Sequence, residues 1–190
     1  ACNGYQIEDL GVMVETGRIG AGARVLIHGG AGGVGHNAVQ IAKSLGCYVI
    51  STAAGEDADF VRSLGADEVI DFRTEWFEQR TGEIDFVLDT VGGENFVRSL
   101  RVLRSDGVIV LLPSDRRQEA DEAAEAHGVR NYKHMLMHSS GEGMHRVADL
   151  LARDRLRVHV DRIFPFDEIA RAHERLEGGK VRGKVVVAME

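Results

Sequence analysis

The sequence predicts an α/β fold: a doubly wound, parallel, six-stranded sheet of the Rossmann type with a C-terminal strand-helix-strand tail. Two observations carry that expectation. A buried strand, Val25-Leu26-Ile27, runs through His28 and Gly29 into Gly30-Ala31-Gly32-Gly33-Val34-Gly35, a Gly-x-Gly-x-x-Gly turn that opens directly into a helix. Short apolar runs then recur about every 20 to 27 residues with helical patterns between them, as strands buried on both faces require.

In chain order, residues 1–23 carry Ile7, Leu10, Val12, Met13 and Val14, which read as a helix leading into Gly20-Ala21-Gly22 with no domain of its own. Val25 to Ile27 is strand 1. Val34, Ala38, Val39, Ile41, Ala42 and Leu45 form an apolar stripe at helical spacing, and Tyr48 to Ile50 follows as strand 2. Phe60, Val61 and Leu64 mark a helix closed by Gly65 in a left-handed cap, and Val69-Ile70 is strand 3. Ile84 to Leu88 is strand 4. Phe96, Val97, Leu100 and Leu103 mark a helix that Gly107 is expected to cap, before strand 5 at Val108 to Leu112.

Gln118 to His127 reads as a solvated helix, Met135 to Met137 as strand 6, and Met144, Val147, Ala148 and Leu151 as one more amphipathic helix. Arg157 to Phe164 then alternates like a strand and Pro165 breaks it. Asp167 is expected to cap a helix through Ile169, His173 and Leu176, and Lys184 to Met189 closes the chain as a strand. Right-handed crossovers give the strand order 3-2-1-4-5-6 and place a ligand crevice at the carboxyl ends of strands 1 and 4. Residues 1–156 are thus expected to form the dinucleotide-binding domain with its lead-in, and 157–190 the tail.

Composition narrows the function. A chain of 190 residues, 44% hydrophobic and 28% charged, can build a substantial core. A net charge of −7 argues against nucleic-acid or anionic-membrane partners. Cys2 and Cys47 cannot supply a four-thiolate zinc site, and nothing resembles a signal peptide or a membrane span, so a cytoplasmic location is expected. The chain begins at Ala1, and a fragment or processed product is expected.

The glycine turn assigns roles by chemistry. Gly30 is expected to permit the tight turn, Gly32 to let backbone approach a pyrophosphate, and Gly35 to allow close helix packing; Gly33 and Val34 complete the loop at the helix N-terminus, whose N–H groups face the anion. An NAD-selecting protein ends strand 2 with an acid, but Ser51-Thr52-Ala53-Ala54 stands there. Ser51 and Thr52 leave room for a 2′-phosphate, which favours NADP(H). Arg73 is the nearest candidate cation for that phosphate; the alternative is an exposed arginine that only solubilises. Glu56 and Asp57 either repel the phosphate or serve the dipole of the helix they begin. His36, in the first turn of the phosphate-binding helix, either contacts the cofactor or a partner domain, or lies on the helix surface. Of eight histidines, His134 and His138 share a strand face but lack further ligands, so no metal site is expected. No nucleophile motif occurs, and no catalytic residue is assigned.

Several segments in order resemble the zinc-independent quinone oxidoreductase, or zeta-crystallin-like, branch of the medium-chain dehydrogenase/reductase superfamily. They are Val-Leu-Ile-His-Gly-Gly-Ala-Gly-Gly-Val-Gly-His at 25–36, Ala-Val-Gln-Ile-Ala-Lys at 38–43, Leu-Gly-Ala-Asp-Glu-Val-Ile-Asp at 64–71, Phe-Val-Leu-Asp-Thr-Val-Gly-Gly at 86–93, Leu-Arg-Val-Leu-Arg at 100–104, and the closing run at 172–187. The resemblance implies hydride transfer from NADP(H) to a quinone or an α,β-unsaturated carbonyl without metal. It implies a homodimer, and a tail that packs with a preceding catalytic domain, supplied in cis or in trans. A chain carrying only this part is expected to bind cofactor and turn over little. By the same resemblance Thr90 and Val91 lie beside the nicotinamide ribose, and Asp57 stands where many relatives have a phosphate-binding Lys. Asp89 is either part of that site or a structural acid satisfied by nearby N–H groups. Leu111-Leu112-Pro113-Ser114 replaces a glycine common in relatives, which puts a nicotinamide contact at Ser114 in doubt.

Three other readings compete. The enoyl reductase of a polyketide or fatty-acid assembly line shares the glycine turn, but its Asn-Ser-Leu-Ala is replaced here by Asp89-Thr90-Val91-Gly92. A non-catalytic nucleotide-binding interaction module would bind without turnover. A methyltransferase also has a glycine-rich first loop, but the absent acid after strand 2 and the glycine spacing count against it.

Overall fold

The structure is a computed structural model that describes residues 19–112, 117–134 and 141–189. Six parallel strands form one sheet: β1 (Arg24–Ile27), β2 (Tyr48–Ala53), β3 (Glu68–Asp71), β4 (Ile84–Asp89), β5 (Leu103–Leu111) and β6 (Tyr132–His134), in the order β3-β2-β1-β4-β5-β6. That is the order expected from the alternation of strands and right-handed crossovers. β1 lies between β2 and β4, with Ile27 beside Ser51 on one side and Leu88 on the other.

Side chains alternate across the sheet, so each strand feeds two cores. Val25, Ile27, Phe86 and Leu88 join Val61 and Val147 on one face; Leu26, Val87, Ile109 and Leu111 join Phe96 and Ala120 on the other. The first face is covered by α1 (Gly35–Ser44), α2 (Ala58–Ser63) and α5 (Gly141–Ala152), the second by α3 (Glu94–Ser99) and α4 (Arg117–Ala126). Burial is deepest under α1, where every residue from Gly35 to Ala42 is buried. A branched aliphatic side chain taken from water contributes about 2 kcal/mol, which is why runs such as Val25-Leu26-Ile27, all fully buried, determine where the strands lie.

The tail forms a separate two-stranded parallel sheet of β7 (Val160–Pro165) and β8 (Lys184–Ala188), joined through a 3-10 turn Phe166–Glu168 and α6 (Ile169–Glu177). It is tied to the six-stranded unit at several points. Gln40 exchanges two hydrogen bonds with the Arg157 backbone, 2.9 and 3.0 Å. Gly183 N–H donates to the Ala31 carbonyl at 2.8 Å, and Arg182 reaches Asp57.

Four local expectations are corrected. Strand 6 is Tyr132–His134, just ahead of the apolar run Met135–Met137, which lies outside the described residues. Leu103 and Gly107 belong to β5, because Leu103 pairs with Ile84 and Val108 with Phe86 across a register shift, and a Cβ on Gly107 would press on Leu103 and the Ile84 carbonyl. β7 starts at Val160, not Arg157, and takes in Pro165 as its last residue. Asp167 sits inside the 3-10 turn, and the N-cap of α6 is Glu168 without a side-chain cap bond. The lead-in helix read in residues 1–18, Cys2, Ser114 and His138 also lie outside the described residues. Among the described residues no helix is long and apolar enough to cross a membrane.

Candidate functional site

The glycine turn is held from below by a chain of hydrogen bonds. Gly29 N–H meets Thr52 Oγ1 at 3.2 Å, Thr52 Oγ1 meets His28 Nδ1 at 3.1 Å, His28 Nε2 meets Ser99 Oγ at 2.9 Å, and Ser99 donates to the Asn95 carbonyl at 2.8 Å. Because Ser99 spends its proton on Asn95, its oxygen accepts from His28, which places the imidazole proton on Nε2 and leaves Nδ1 to accept from Thr52. His28 is completely buried and packs edge-on against Phe77 at 4.8 Å. Burial, partly opposed by Asp89, lowers its pKa to about 4; burial does the same at His36, where Nδ1 bonds the Gly32 carbonyl at 2.8 Å.

Both histidines therefore stay neutral when folded and protonate more readily when unfolded. Their contribution to stability is complete above pH 6.5 and is lost as the pH falls from 6.5 toward 4. Stability from urea denaturation is expected to drop between pH 7 and pH 5 by about 2 kcal/mol for His28 and somewhat less for His36. A flat profile over that interval would show that the two rings are not buried in neutral form.

The glycines of the turn differ in what a side chain would meet. Gly29, not Gly30, takes the left-handed conformation, with φ +70°. Gly30 is pressed against β2: a Cβ there would collide with the Ser51 hydroxyl. Gly35 is needed where α1 leaves the loop, since a Cβ would collide with the Gly29 carbonyl. Gly32 has more room, its Cβ position lying 3.2 Å from that same carbonyl oxygen. The N-cap of α1 is Val34, with no side-chain cap bond and no acid in the first turn; His36 N–H is taken by the Gly32 carbonyl and Asn37 N–H by the Val34 carbonyl, both at 3.1 Å, so the N–H groups that could face an anion are those of the loop just ahead, Gly33 to Gly35.

A cleft of about 720 Å3 opens from this loop, a size suited to a small-molecule or cofactor ligand. Its wall runs from Gly32, Gly33, Val34 and Gly35 past Ala53 and Ala54 at the end of β2 to Glu56, Asp57, Phe72 and Arg73, with Thr90 at the end of β4. Its far side is the tail, through Arg175, Lys180, Arg182 and Lys184. The structure thus brings Gly32, Gly33, Val34, Gly35, Arg73 and Thr90 together. It places Gly30, Ser51, Thr52 and Val91 elsewhere. Ser51 is fully buried and donates to the Ile27 carbonyl at 2.8 Å, and Thr52 is committed to His28 and Gly29, so Ala53 and Ala54 provide the open space at the end of β2. Val91 is 58% exposed outside the cleft lining. Thr90 donates to the His28 carbonyl at 2.8 Å. Asp89 is fully buried; its Oδ1 accepts Val91 N–H at 2.8 Å and Gly92 N–H at 2.9 Å, while its Oδ2 meets no hydrogen-bond donor.

The acids of the cleft are paired. Glu56 binds Arg73 through both oxygens, 2.8 and 2.7 Å; Asp57 binds Arg182 at 2.6 Å; Asp161 binds Arg175 at 2.8 and 2.9 Å. Its own backbone N–H and then Arg73 hold the Glu56 carboxyl below its usual range, and Arg175 does the same to Asp161. Glu56 and Asp57 form a 3-10 turn, Gly55–Asp57, ahead of α2, and answer arginines rather than a helix dipole alone. Arg182 escaped sequence reading because its partner is 125 positions away. Lys184, whose Nζ lies 3.3 Å from where a Gly33 Cβ would stand, escaped it too. His28 carried one weak signal, a polar residue ending an apolar strand next to the glycine turn.

The family model described as zinc-binding dehydrogenase matches residues 64–187. The mouse protein named NAD(P)H oxidoreductase RTN4IP1, mitochondrial, is 33% identical over 189 residues, covering 87% of this chain and 48% of that protein. The spectinabilin polyketide synthase system protein NorB of Streptomyces orinoci is 38% identical over 190 residues, covering 93% of this chain and 9% of that protein. The solved quinone oxidoreductase of Coxiella burnetii superposes with a TM-score of 0.92 at 35% identity, covering 98% of this chain and 58% of that one. The chain therefore spans about half the length of the mouse relative. Although the family description names zinc, among the described residues no three His, Cys, Asp or Glu side chains stand together as a zinc site needs; these residues do not fit the metal.

Proposed function

The chain belongs to the zinc-binding dehydrogenase family, within the medium-chain dehydrogenase/reductase superfamily, and we propose that it is the cofactor-binding part of an NADP(H)-dependent oxidoreductase that delivers hydride to a quinone or an α,β-unsaturated carbonyl without metal. One observation carries the reading: a single cleft joins an anion-accepting glycine turn to a strand end with no acid and an arginine on either side, Arg73 and Arg182. The residues fit the cofactor by their shape and charge. A Cβ at Gly29 or Gly35 would fill or distort the turn, and Lys184 beside Gly33 adds positive charge where a pyrophosphate would rest.

A nicotinamide cofactor, when bound, supplies the hydride. The chain's own residues bind and orient. The loop N–H groups and Lys184 take the pyrophosphate, Ala53 and Ala54 leave space for the adenosine ribose and its 2′-phosphate, and Thr90 closes the wall at the end of β4, on the side of the nicotinamide ribose. The neutral His28 chain keeps Gly29 in its left-handed conformation and so keeps the loop in shape. Calorimetric titration at fixed salt tests the proposal. NADPH is expected to bind at least tenfold more tightly than NADH, a difference of about 1.4 kcal/mol; equal affinities overturn the NADP(H) part, and no binding overturns the cofactor reading.

The acceptor site is completed, in this proposal, by a catalytic domain that packs against the tail, so that 1–156 and 157–190 belong to different layers of the whole protein. Two strands alone are marginal as a sheet, and Ile163, Phe166 and Leu176 of the tail are 62%, 59% and 51% exposed, which supports a further covering layer. β6 ends the sheet among the described residues, which supports pairing across a two-fold axis in a homodimer. The proposed compartment is the cytoplasm, although the mouse relative is named as mitochondrial. The 38% identity to a polyketide synthase protein favours a second reading, an enoyl reductase of an assembly line. Reduction of an enoyl thioester in preference to free quinones by the whole protein would select it.

A further inference from the structure

We infer that His36 is a positioning residue for cofactor binding: its imidazole N–H pins the Gly32 carbonyl and so aims the Gly33 N–H at the pyrophosphate, an inference that deepens the cofactor reading above and rests on it. The Gly32 carbonyl receives two donors from this one residue, the backbone N–H of His36 at 3.1 Å and its ring Nδ1 at 2.8 Å. A carbonyl only accepts, so the ring proton sits on Nδ1 and Nε2 is bare. Gly32 C=O and Gly33 N–H belong to one planar trans peptide and point in opposite directions. With the carbonyl drawn back into α1, the N–H is turned away from the helix, where Gly32 and Gly33 line the cleft.

A pair of glycines needs such a fastening, because neither has a side chain to restrict the peptide between them. Gly32 N–H donates to the Gly29 carbonyl at 2.9 Å, which holds the preceding peptide. The His36 ring adds the matching hold on the next one. Packing alone would not select histidine here. The residue is fully buried and its Nε2 has no hydrogen-bond partner, a desolvation cost that a leucine would avoid. Burial lowers the ring pKa to about 4, and Lys184 and His159 of the tail also oppose a charge on it, so His36 serves as a neutral donor and not as a cation for the phosphates. It does not line the cleft and acts through Gly32. Gln40 shows the same reach one turn later, its Nε2 donating at 2.8 Å to the His36 carbonyl four residues back.

The test is calorimetric titration of the whole chain with NADPH at fixed salt, for the wild type, His36→Leu and His36→Gln. His36→Leu removes the ring donor and the unpartnered nitrogen together. It is expected to bind NADPH about fivefold more weakly, the net worth of one hydrogen bond, while its melting temperature stays within about 4 °C of the wild type. His36→Gln carries an amide that reaches four residues back as Gln40 does, and is expected to bind within about twofold of the wild type. Neither ratio is expected to change between about pH 8 and about pH 6, because the wild-type ring is neutral throughout. Nitrogen NMR of the wild-type imidazole gives a reading independent of any variant, with Nδ1 protonated and Nε2 bare. If His36→Leu does not fold, the glutamine variant and the tautomer decide. Unchanged NADPH affinity in a folded His36→Leu overturns the inference, and so does His36→Gln binding as weakly as His36→Leu, or a proton found on Nε2. A deficit that grows as the pH falls also overturns it, by assigning the effect to imidazolium charge. A wild-type chain that binds no NADPH overturns the cofactor reading and this inference with it; one that binds NADPH no better than His36→Leu does overturns the inference alone.

Discussion

Gly32→Val is expected to abolish dinucleotide binding, weakening it by at least about a hundredfold, while the chain stays folded. Gly32 lines the cleft, its φ is not in the left-handed region, and a Cβ built on it meets only the Gly29 carbonyl oxygen at 3.2 Å. The fold can relax by a few tenths of an ångström at a cost of about 1 kcal/mol. The pyrophosphate cannot relax in the same way, because two γ-methyl groups would occupy the space where it must approach the loop backbone. A thermal melt of the variant reports the fold, and calorimetric titration with NADPH reports the site. A folded variant that binds within about threefold of the wild type would reduce the loop to a turn.

Gly35→Ala is expected to do the opposite and unsettle the fold itself, costing at least about 3 kcal/mol. In an open helix a Gly-to-Ala change stabilises by about 1 kcal/mol, since alanine loses less backbone entropy. Here the new methyl group would run into the Gly29 carbonyl and the Gly30 Cα, all backbone atoms. The loop and α1 would have to separate, and the eight buried residues from Gly35 to Ala42 would be displaced with them. Urea denaturation measures the loss. Gly141→Ala is the control: it lies at the start of α5 with nothing within 4 Å of its Cβ position, and it is expected to be neutral or slightly stabilising.

These two glycines show how far sequence reading reached. The packing requirement at Gly35 follows from the spacing of the turn, and the structure differs only in what Gly35 packs against; the approach of a phosphate at Gly32 belongs to the proposed cofactor reading. Gly30 was less legible. Its expected role in the tight turn belongs to Gly29, and its own requirement comes from the Ser51 hydroxyl on the neighbouring strand. The fifth strand illustrates the same limit. Leu103 and Gly107 match a helical pattern, yet they enter β5 because the sheet offers Ile84 as a partner, and no local signal encodes a register shift.

The sequence by itself determined the strand order, the position of the switch point, the place of the glycine turn and the strand-helix-strand form of the tail. Those features depend on apolar period, glycine spacing and the handedness of crossovers, all of which are written within about 20 residues at a time. Only the tertiary structure decided which side chains face the cleft. Ser51 and Thr52 turn into the core and leave the wall to Ala53 and Ala54; Arg73 is held by Glu56, and Arg182 arrives from the tail to meet Asp57. The physical reason is that charge pairing and hydroxyl satisfaction are settled by neighbours across the sheet and across the cleft. Those neighbours are remote in sequence, and packing alone brings them within hydrogen-bonding distance.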